Sequence, residues 1–312
     1  MMKAALVTEF GASPRYQDVE EPTAARPGQA VVDVLAAALS PRVRSQAAGS
    51  HYTSTGELPL IPGIDGVGRT PDGALRYFLL PDTAKGAMAE RTVVDLQRSV
   101  VVPPDSDPVQ LAAVMNPAMS SWIALRRRAR LHAGQSVLVL GATGNAGGLA
   151  VQVARRLGGA HVVAAGRDSG RLADSGADVI VELDDAEALG RAASEVDVVL
   201  DYLWGRPTAD ALRAVVPRRA RDDQPLTWVQ IGSVAGPESP IPSAALRAVD
   251  LRIVGSGQGS VRTDTIVAEL SDLAVEVASG AFVTAARAVP LSRVEQAWDE
   301  AATTRDRLVL VP

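Results

Sequence analysis

Residues 135–168 read Gln-Ser-Val-Leu-Val-Leu-Gly-Ala-Thr-Gly-Asn-Ala-Gly-Gly-Leu-Ala-Val-Gln-Val-Ala-Arg-Arg-Leu-Gly-Gly-Ala-His-Val-Val-Ala-Ala-Gly-Arg-Asp. Val137 to Leu140 is a short run of branched apolar side chains, as a strand buried on both faces requires. A glycine-rich turn follows from Gly141 to Gly148. Leu149, Val153, Ala154 and Leu157 then share one helical face, and Gly158 stands where a left-handed residue closes a helix. His161 to Ala165 predicts a second strand. Together these make a βαβ unit with its glycines at the first turn, the arrangement that binds dinucleotides.

The full fingerprint, G-x-G-x-x-G, puts Ala142 in its first place and keeps Gly144 and Gly147 in the other two. Gly144 lets the backbone approach a pyrophosphate, and Gly147 lets the helix pack against the strand. Gly141 and Thr143 complete the turn, and the free N–H groups at the helix start, around Asn145 and Ala146, are the expected phosphate donors. In NAD-type units an acidic residue about 20 positions on binds the ribose 2′-hydroxyl. That place falls near Ala165 and Gly166, and neither is a carboxylate. Arg167 comes next, where a guanidinium can meet a 2′-phosphate, and Arg171 lies one helical turn further. The expected cofactor is therefore NADPH. Asp168 could instead serve a 2′-hydroxyl, or cap a helix over 169–175.

The rest of the chain bounds this reading. With 312 residues there is length for two domains. A formal net charge of −5 disfavours a nucleic-acid partner, so the arginine clusters at 126–130 and 218–221 read as solvated faces. The chain has no cysteine, which excludes disulfides, thiolate catalysis and iron–sulfur ligation, and fits a cytoplasmic protein. The first ten residues carry Glu9 and no long apolar segment, so no secretory signal is expected. Ser136 to Ala154 is uncharged and long enough to suggest a membrane span, but its four glycines favour strand, turn and helix.

Taken in order, 3–8, 30–35, 76–80 and 88–94 predict short strands punctuated by Gly and Pro, a small β-rich domain. A helix opens at Asp107-Pro108, Asn116-Pro117 is expected to break it, and 120–130 resumes it. Later strands are expected at 179–182, 197–201, 227–231 and 251–254, with Pro207 as a first helical residue. A long helix is expected over 263–279. Ser292 and Glu295 form a capping box before the last helix, and 307–311 closes as a strand. The strand-helix-strand tail predicts a discontinuous β-rich domain with the dinucleotide domain inserted in it.

These segments resemble the medium-chain dehydrogenase/reductase superfamily, in its zinc-free quinone oxidoreductase branch. The carriers are 59–68 (Pro-Leu-Ile-Pro-Gly-Ile-Asp-Gly-Val-Gly), 86–90 (Gly-Ala-Met-Ala-Glu), the turn 141–144, the strand 197–201 (Asp-Val-Val-Leu-Asp) and 308–312 (Leu-Val-Leu-Val-Pro). The resemblance implies an α/β fold, a Rossmann doubly wound parallel sheet inserted in a GroES-like β-rich domain. Its parts would be 1–118, the NADP(H)-binding 119–260, and the return 261–312. Asn116 and Ser120, which flank the crossing between domains, could contact the nicotinamide or its ribose phosphate, or Asn116 could simply mark a helix break; the resemblance implies backbone contacts to the nicotinamide amide from Gly232, Ser233, Gly255 and Ser256, at the carboxyl ends of strands. A homodimer through the 251–254 edge strand is expected as well. The chain departs from the branch at Ser40-Pro41-Arg42-Val43, where Asn-Pro-x-Asp is usual, and at 74–78, where Gly-Asp-Arg-Val is common. It departs again at Tyr202-Leu203-Trp204-Gly205, where two glycines usually follow the aspartate.

Zinc members of the superfamily use cysteine and histidine ligands. Here cysteine is absent and His51, His132 and His161 are scattered, so no metal is expected. Reduction of a conjugated acceptor does not need one. The expected reaction is NADPH-dependent hydride transfer to a quinone or an α,β-unsaturated carbonyl, with a small-molecule substrate and neither nucleic acid nor membrane as partner. Tyr52, beside His51, could donate to a carbonyl oxygen or be an exposed loop tyrosine, and Ser40 is a second hydroxyl candidate. Trp122 and Trp204 could line an apolar pocket. An enoyl-thioester reductase and a non-catalytic NADPH-binding sensor or structural protein remain as alternatives.

Overall fold

A computed structural model describes all residues, Met1–Pro312. It divides into two compact units, Met1–Asn116 with Thr263–Pro312, and Pro117–Arg262.

The first unit begins with β1 (Met2–Leu6), β2 (Arg15–Val19) and β3 (Gln29–Ala38). Next come α1 (Pro41–Ala47), β4 (Asp65–Arg69), β5 (Leu75–Leu79), β6 (Arg91–Asp95) and β7 (Ser99–Val101). Here β6 starts at Arg91, because Met88 O accepts from Ala5 N and Glu90 N donates to Lys3 O as single bonds on either side of an isolated bridge from Ala89 to Ala4, in place of a ladder. The chain then enters α2 (Pro108–Ile123), which is continuous through Pro117. The expected break at Asn116-Pro117 is thus corrected: the apolar residues around Pro117 are fully buried, and packing outweighs the one helical bond the proline forfeits. After α2 the chain winds as a π-helix, Ala124–Ala129.

The second unit is a six-stranded parallel sheet built from β8 (Ser136–Leu140), β9 (His161–Gly166), β10 (Val179–Glu182), β11 (Val198–Asp201), β12 (Leu226–Gln230) and β13 (Leu251–Gly255). Its order is β10-β9-β8-β11-β12-β13, the doubly wound order with its reversal between β8 and β11. Helices α3 (Asn145–Arg156), α4 (Ser169–Ala173), α5 (Ala186–Ala192), α6 (Gly205–Val215) and α7 (Ala245–Ala248) make the crossovers. Val137, Leu138, Val139 and Leu140 of β8 are all fully buried, as a central strand covered on both faces must be. The helix α3 starts four residues before Leu149, since its first turn is the glycine turn itself and shows no apolar periodicity. In α6, Pro207 is the third residue and not the first.

The chain returns to the first unit through α8 (Thr263–Ala278), β14 (Ala286–Pro290), α9 (Val294–Glu300) and β15 (Arg307–Val311). There β15 pairs with β3, and the sheet runs β14-β15-β3-β4-β5-β7 with β6 also on β3. The expected capping box at Ser292 and Glu295 does not form. Ser292 lies inside a short 3-10 turn, Leu291–Arg293, and α9 starts after Arg293 with no side-chain cap. No helix is long and apolar enough to cross a membrane.

Candidate functional site

In the Pro117–Arg262 unit the glycine turn is built by close approach. Gly141 takes φ +89°, a conformation glycine adopts without steric cost. A Cβ on Gly147 would stand 2.1 Å from the Gly141 carbonyl oxygen, so no side chain fits there. A Cβ on Gly144 would meet only that same oxygen, at 3.5 Å, so the turn itself has room for one. Gly144 is the N-cap of α3 and no side chain caps the helix. The first helical bond is from Gly148 N to Gly144 O at 2.8 Å, which leaves the N–H groups of Asn145, Ala146 and Gly147 free at the positive end of the helix. This is a fit for a phosphate group made of backbone alone.

At the end of β9, a Cβ on Gly166 would lie 2.4 Å from Thr143 Cγ2, so the strand end is pressed against the turn. Arg167, next in the chain, is exposed. Arg171 donates from Nη1 to the Thr143 carbonyl at 2.8 Å and is thereby tied to the turn. Asp168 caps α4 by accepting from Arg171 N at 3.1 Å.

Asp201, at the end of β11 and fully buried, organises the next loop. Its Oδ1 accepts from Leu203 N (2.9 Å) and Trp204 N (3.0 Å), and its Oδ2 accepts from the Thr208 hydroxyl and from Trp228 Nε1 at 2.9 Å. These bonds hold Trp204 at φ 55°, ψ −165°, a corner that glycine occupies almost alone, at a cost of about 1–3 kcal/mol. Tyr202 is buried, and its hydroxyl lies 2.9 Å from Ser120 Oγ. Since Ser120 donates to the Pro117 carbonyl at 2.6 Å, the phenol is the donor of that pair. Burial pushes the Tyr202 phenol up to about 12. Ser233, Gly255 and Trp204 line one cavity, with Gly232 beside it in the chain. Arg128 of the π-helix donates to the Gly255 carbonyl at 2.7 Å, and Ser256 N bonds to Gln230 O.

In the other unit, Ser40 is buried and caps α1, accepting from Val43 N at 3.1 Å. Tyr52 is 77% exposed, its ring centroid 4.5 Å from that of His51. His51 Nδ1 lies 2.9 Å from the Thr53 hydroxyl, and burial holds the imidazole below its usual range.

Sequence reasoning passed over one constellation here. Asp65 opens β4, Tyr77 sits in β5 and Arg307 opens β15, and all three are buried. Tyr77 donates to Asp65 Oδ2 at 2.8 Å and also hydrogen-bonds the Asn116 side chain. Burial pushes the Asp65 carboxyl up to about 6, against the opposing pull of the Tyr77 hydroxyl and the Arg307 and Arg42 charges. The same burial pushes the Arg307 guanidinium below its usual range, and its Nε has no partner. The one signal in the sequence was a charged residue heading each of two apolar strands, Asp65 and Arg307. No cluster of three or more His, Asp or Glu side chains could hold a metal ion.

No protein-family model matches the chain. It is 30% identical to a probable NADPH-dependent quinone reductase of Emericella nidulans, across the whole of both chains. Over 56% of its length it is 28% identical to half of an NADPH-dependent alkenal/one oxidoreductase of Arabidopsis thaliana chloroplasts. Among solved structures it superposes on the quinone oxidoreductase of Thermus thermophilus, also crystallised with NADPH, with a TM-score of 0.84 and 25% identity over all of both chains. A glycine turn with free backbone N–H groups, a doubly wound sheet inserted in a β-rich unit, and a full-length relative agree: the chain belongs to the quinone oxidoreductase family of the medium-chain dehydrogenase/reductase superfamily.

Proposed function

We propose that this oxidoreductase uses NADPH to reduce a quinone or an α,β-unsaturated carbonyl, without zinc. The observation that carries the reading is the uncapped start of α3 beside the exposed Arg167. Gly141, Ala142, Thr143, Gly144, Asn145, Ala146 and Gly147 would hold the pyrophosphate. Arg167 would take the 2′-phosphate, while Arg171 braces the turn from Gly166 onward. Asp168 is engaged as a helix cap, which disfavours its service to a 2′-hydroxyl. Bound there, NADPH supplies the hydride.

The chain's own groups then position and protonate. Ser120 donates its hydrogen bond to Pro117 O and would offer a ligand's donor a lone pair. Asn116, Gly232, Ser233, Gly255 and Ser256 are the further proposed contacts. Ser40 spends one lone pair on Val43 N and keeps its proton to donate to a carbonyl oxygen. Tyr52 is the second donor candidate. The absence of cysteine leaves no thiolate for a zinc site, and conjugation in the acceptor spreads the charge that a metal would otherwise stabilise. The protein would act in the cytoplasm as a homodimer formed along β13, whose outer edge has no strand beside it within the sheet. The test is NADPH absorbance loss with a panel of quinones, enones and enoyl thioesters. Preferred turnover of an enoyl thioester would move the assignment to that class, and turnover of simple secondary alcohols ahead of every conjugated acceptor would overturn it.

A further inference from the structure

The Asp65–Tyr77 pair has a further member, Asn116, and the sense of the bonds along the three is determined. Once ionised, the Asp65 carboxylate can only accept, so the fully buried Tyr77 hydroxyl gives its one proton to Asp65 Oδ2, at 2.8 Å. The phenol oxygen is left with lone pairs alone. Its other partner, the Asn116 side chain, must therefore meet it with the N–H end of the amide. The electrostatics agree. Burial and the Asp65 carboxylate push the phenol well above its usual range, and the Asn116 amide pulls it back, as a donor to the phenol oxygen does.

Asn116 lies on α2, which runs unbroken through Pro117, so its backbone is fixed and its side chain responds by turning. The residue is only half-buried, so one end of the amide lies against Tyr77 while the other is left to a ligand. The two ends are nearly alike in shape and opposite in chemistry. An N–H held inward leaves the carbonyl oxygen outward.

We infer that Asp65 is a positioning residue that acts through Tyr77, turning the Asn116 amide so that its Oδ1 accepts a hydrogen bond from an N–H or O–H donor at the nicotinamide end of the cofactor. The identity of that donor rests on the NADPH reading; the chain of bonds does not. The groups that face Asp65 are Tyr77 of β5, Arg307 of β15 and Arg42 of α1, and Arg42 in turn faces Asp82 and His51. Burial holds the carboxyl up at about 6 against the pull of the first three. Once protonated, Asp65 no longer requires the phenol's proton. The sense of the chain is then lost, and Asn116 can turn its N–H end outward.

The chain has only two asparagines, Asn116 and Asn145, so protein labelled with nitrogen-15 at asparagine gives two side-chain NH2 signals in the NMR spectrum. Asn116→Ala tells which is which. Without cofactor, the Asn116 signal should titrate with a midpoint at about 6, and Tyr77→Phe, which keeps Asp65 beside Arg307, should abolish that titration. His51→Gln should leave the midpoint in place, because His51 is coupled to Arg42 and Asp82. Calorimetry then reads NADPH binding. At about pH 8, Tyr77→Phe and Asn116→Ala should each weaken NADPH about three- to tenfold, the loss of one hydrogen bond. The double variant should lose no more than either alone. At about pH 5 the wild type should bind no better than Asn116→Ala, a comparison in which the titration of the cofactor's own 2′-phosphate cancels. Adenosine 2′,5′-bisphosphate, which has no nicotinamide, should bind all the variants alike. An Asn116 signal that does not titrate, or losses that add in the double variant, overturns the inference. A titrating signal with no binding of NADPH at either pH upholds the positioning of Asn116 and overturns the NADPH reading instead.

Discussion

The glycine turn of the Pro117–Arg262 unit and the Asp65–Tyr77–Arg307 cluster of the other unit solve opposite problems. The turn is all backbone. Its chemistry is the set of N–H groups left over at Asn145, Ala146 and Gly147, and its side chains matter mainly by their absence. The cluster is all side chain: a carboxylate, a phenol and a guanidinium withdrawn from water, each tolerable only because of the others. The turn draws on residues close together in the chain, whereas the cluster joins residues from β4, β5 and β15. A site made of backbone is sensitive to added atoms. A site made of buried charge is sensitive to removed ones.

That contrast can be broken, and Asp65→Ala is the hardest test. It leaves Arg307 as a buried charge without its acidic partner and should destabilise the protein by about 3–5 kcal/mol in urea unfolding. A loss under about 1 kcal/mol would mean that the guanidinium is solvated, and that the cluster is no unit. Gly147→Ala comes next. Its methyl would press on the Gly141 carbonyl, and overpacking of this kind costs about 1–3 kcal/mol. Gly144→Ala should leave the Tm nearly unchanged while still weakening NADPH binding, because there the obstructed space is the ligand's. Equal Tm loss in the two glycine variants would show that the turn is not built as described.

Arg167→Ala tests the far end of the turn. Loss of a charge-assisted contact of about 1.5–3 kcal/mol should weaken NADPH roughly ten- to a hundredfold, with NADH and the Tm barely changed. A wild-type preference for NADH, or equal losses for both cofactors, would refute that assignment.

Tyr77→Phe sharpens the other side of the contrast, and by the smallest amount, about 1–2 kcal/mol. Its signature is the pH dependence. The Asp65 carboxyl is raised from 3.8 to about 6, so the folded state holds that proton more tightly than the unfolded chain. The group therefore favours folding at low pH, and this advantage is lost as pH rises from about 4 through about 6. The Tyr77 hydroxyl supports the charged carboxylate. Removing it should thus cost more at about pH 8 than at about pH 5. An equal or reversed difference in Tm would show that the phenol does not serve the carboxylate.

The local pattern of 135–168 was enough for the turn. Strand burial, helix periodicity and glycine spacing are set by neighbours in the chain, and they carried the doubly wound sheet and the glycine turn into view. The same local rules failed at Asn116-Pro117 and at Ser292–Glu295. In the first case burial of α2 overrode a proline, and in the second a 3-10 turn took the place of a cap. Trp204 was legible as an aromatic where the resembled family has glycine, but not as a residue held in a glycine conformation, because that depends on the buried Asp201 beneath it.

By itself, then, the sequence determined the strand and helix alternation of the Pro117–Arg262 unit, the glycine turn at the start of α3, the lack of thiolate ligands and the candidate arginine at the turn's edge. These follow from residue type and short spacing, where conformational preference and periodicity act. Only the tertiary structure decided that the Ser120 hydroxyl meets that of Tyr202, that Asp65, Tyr77 and Arg307 share one dry environment, and that Trp204 faces a cavity. The energies of those groups come from desolvation and from partners brought together by packing of distant strands and loops, and no window of sequence contains both members of such a pair.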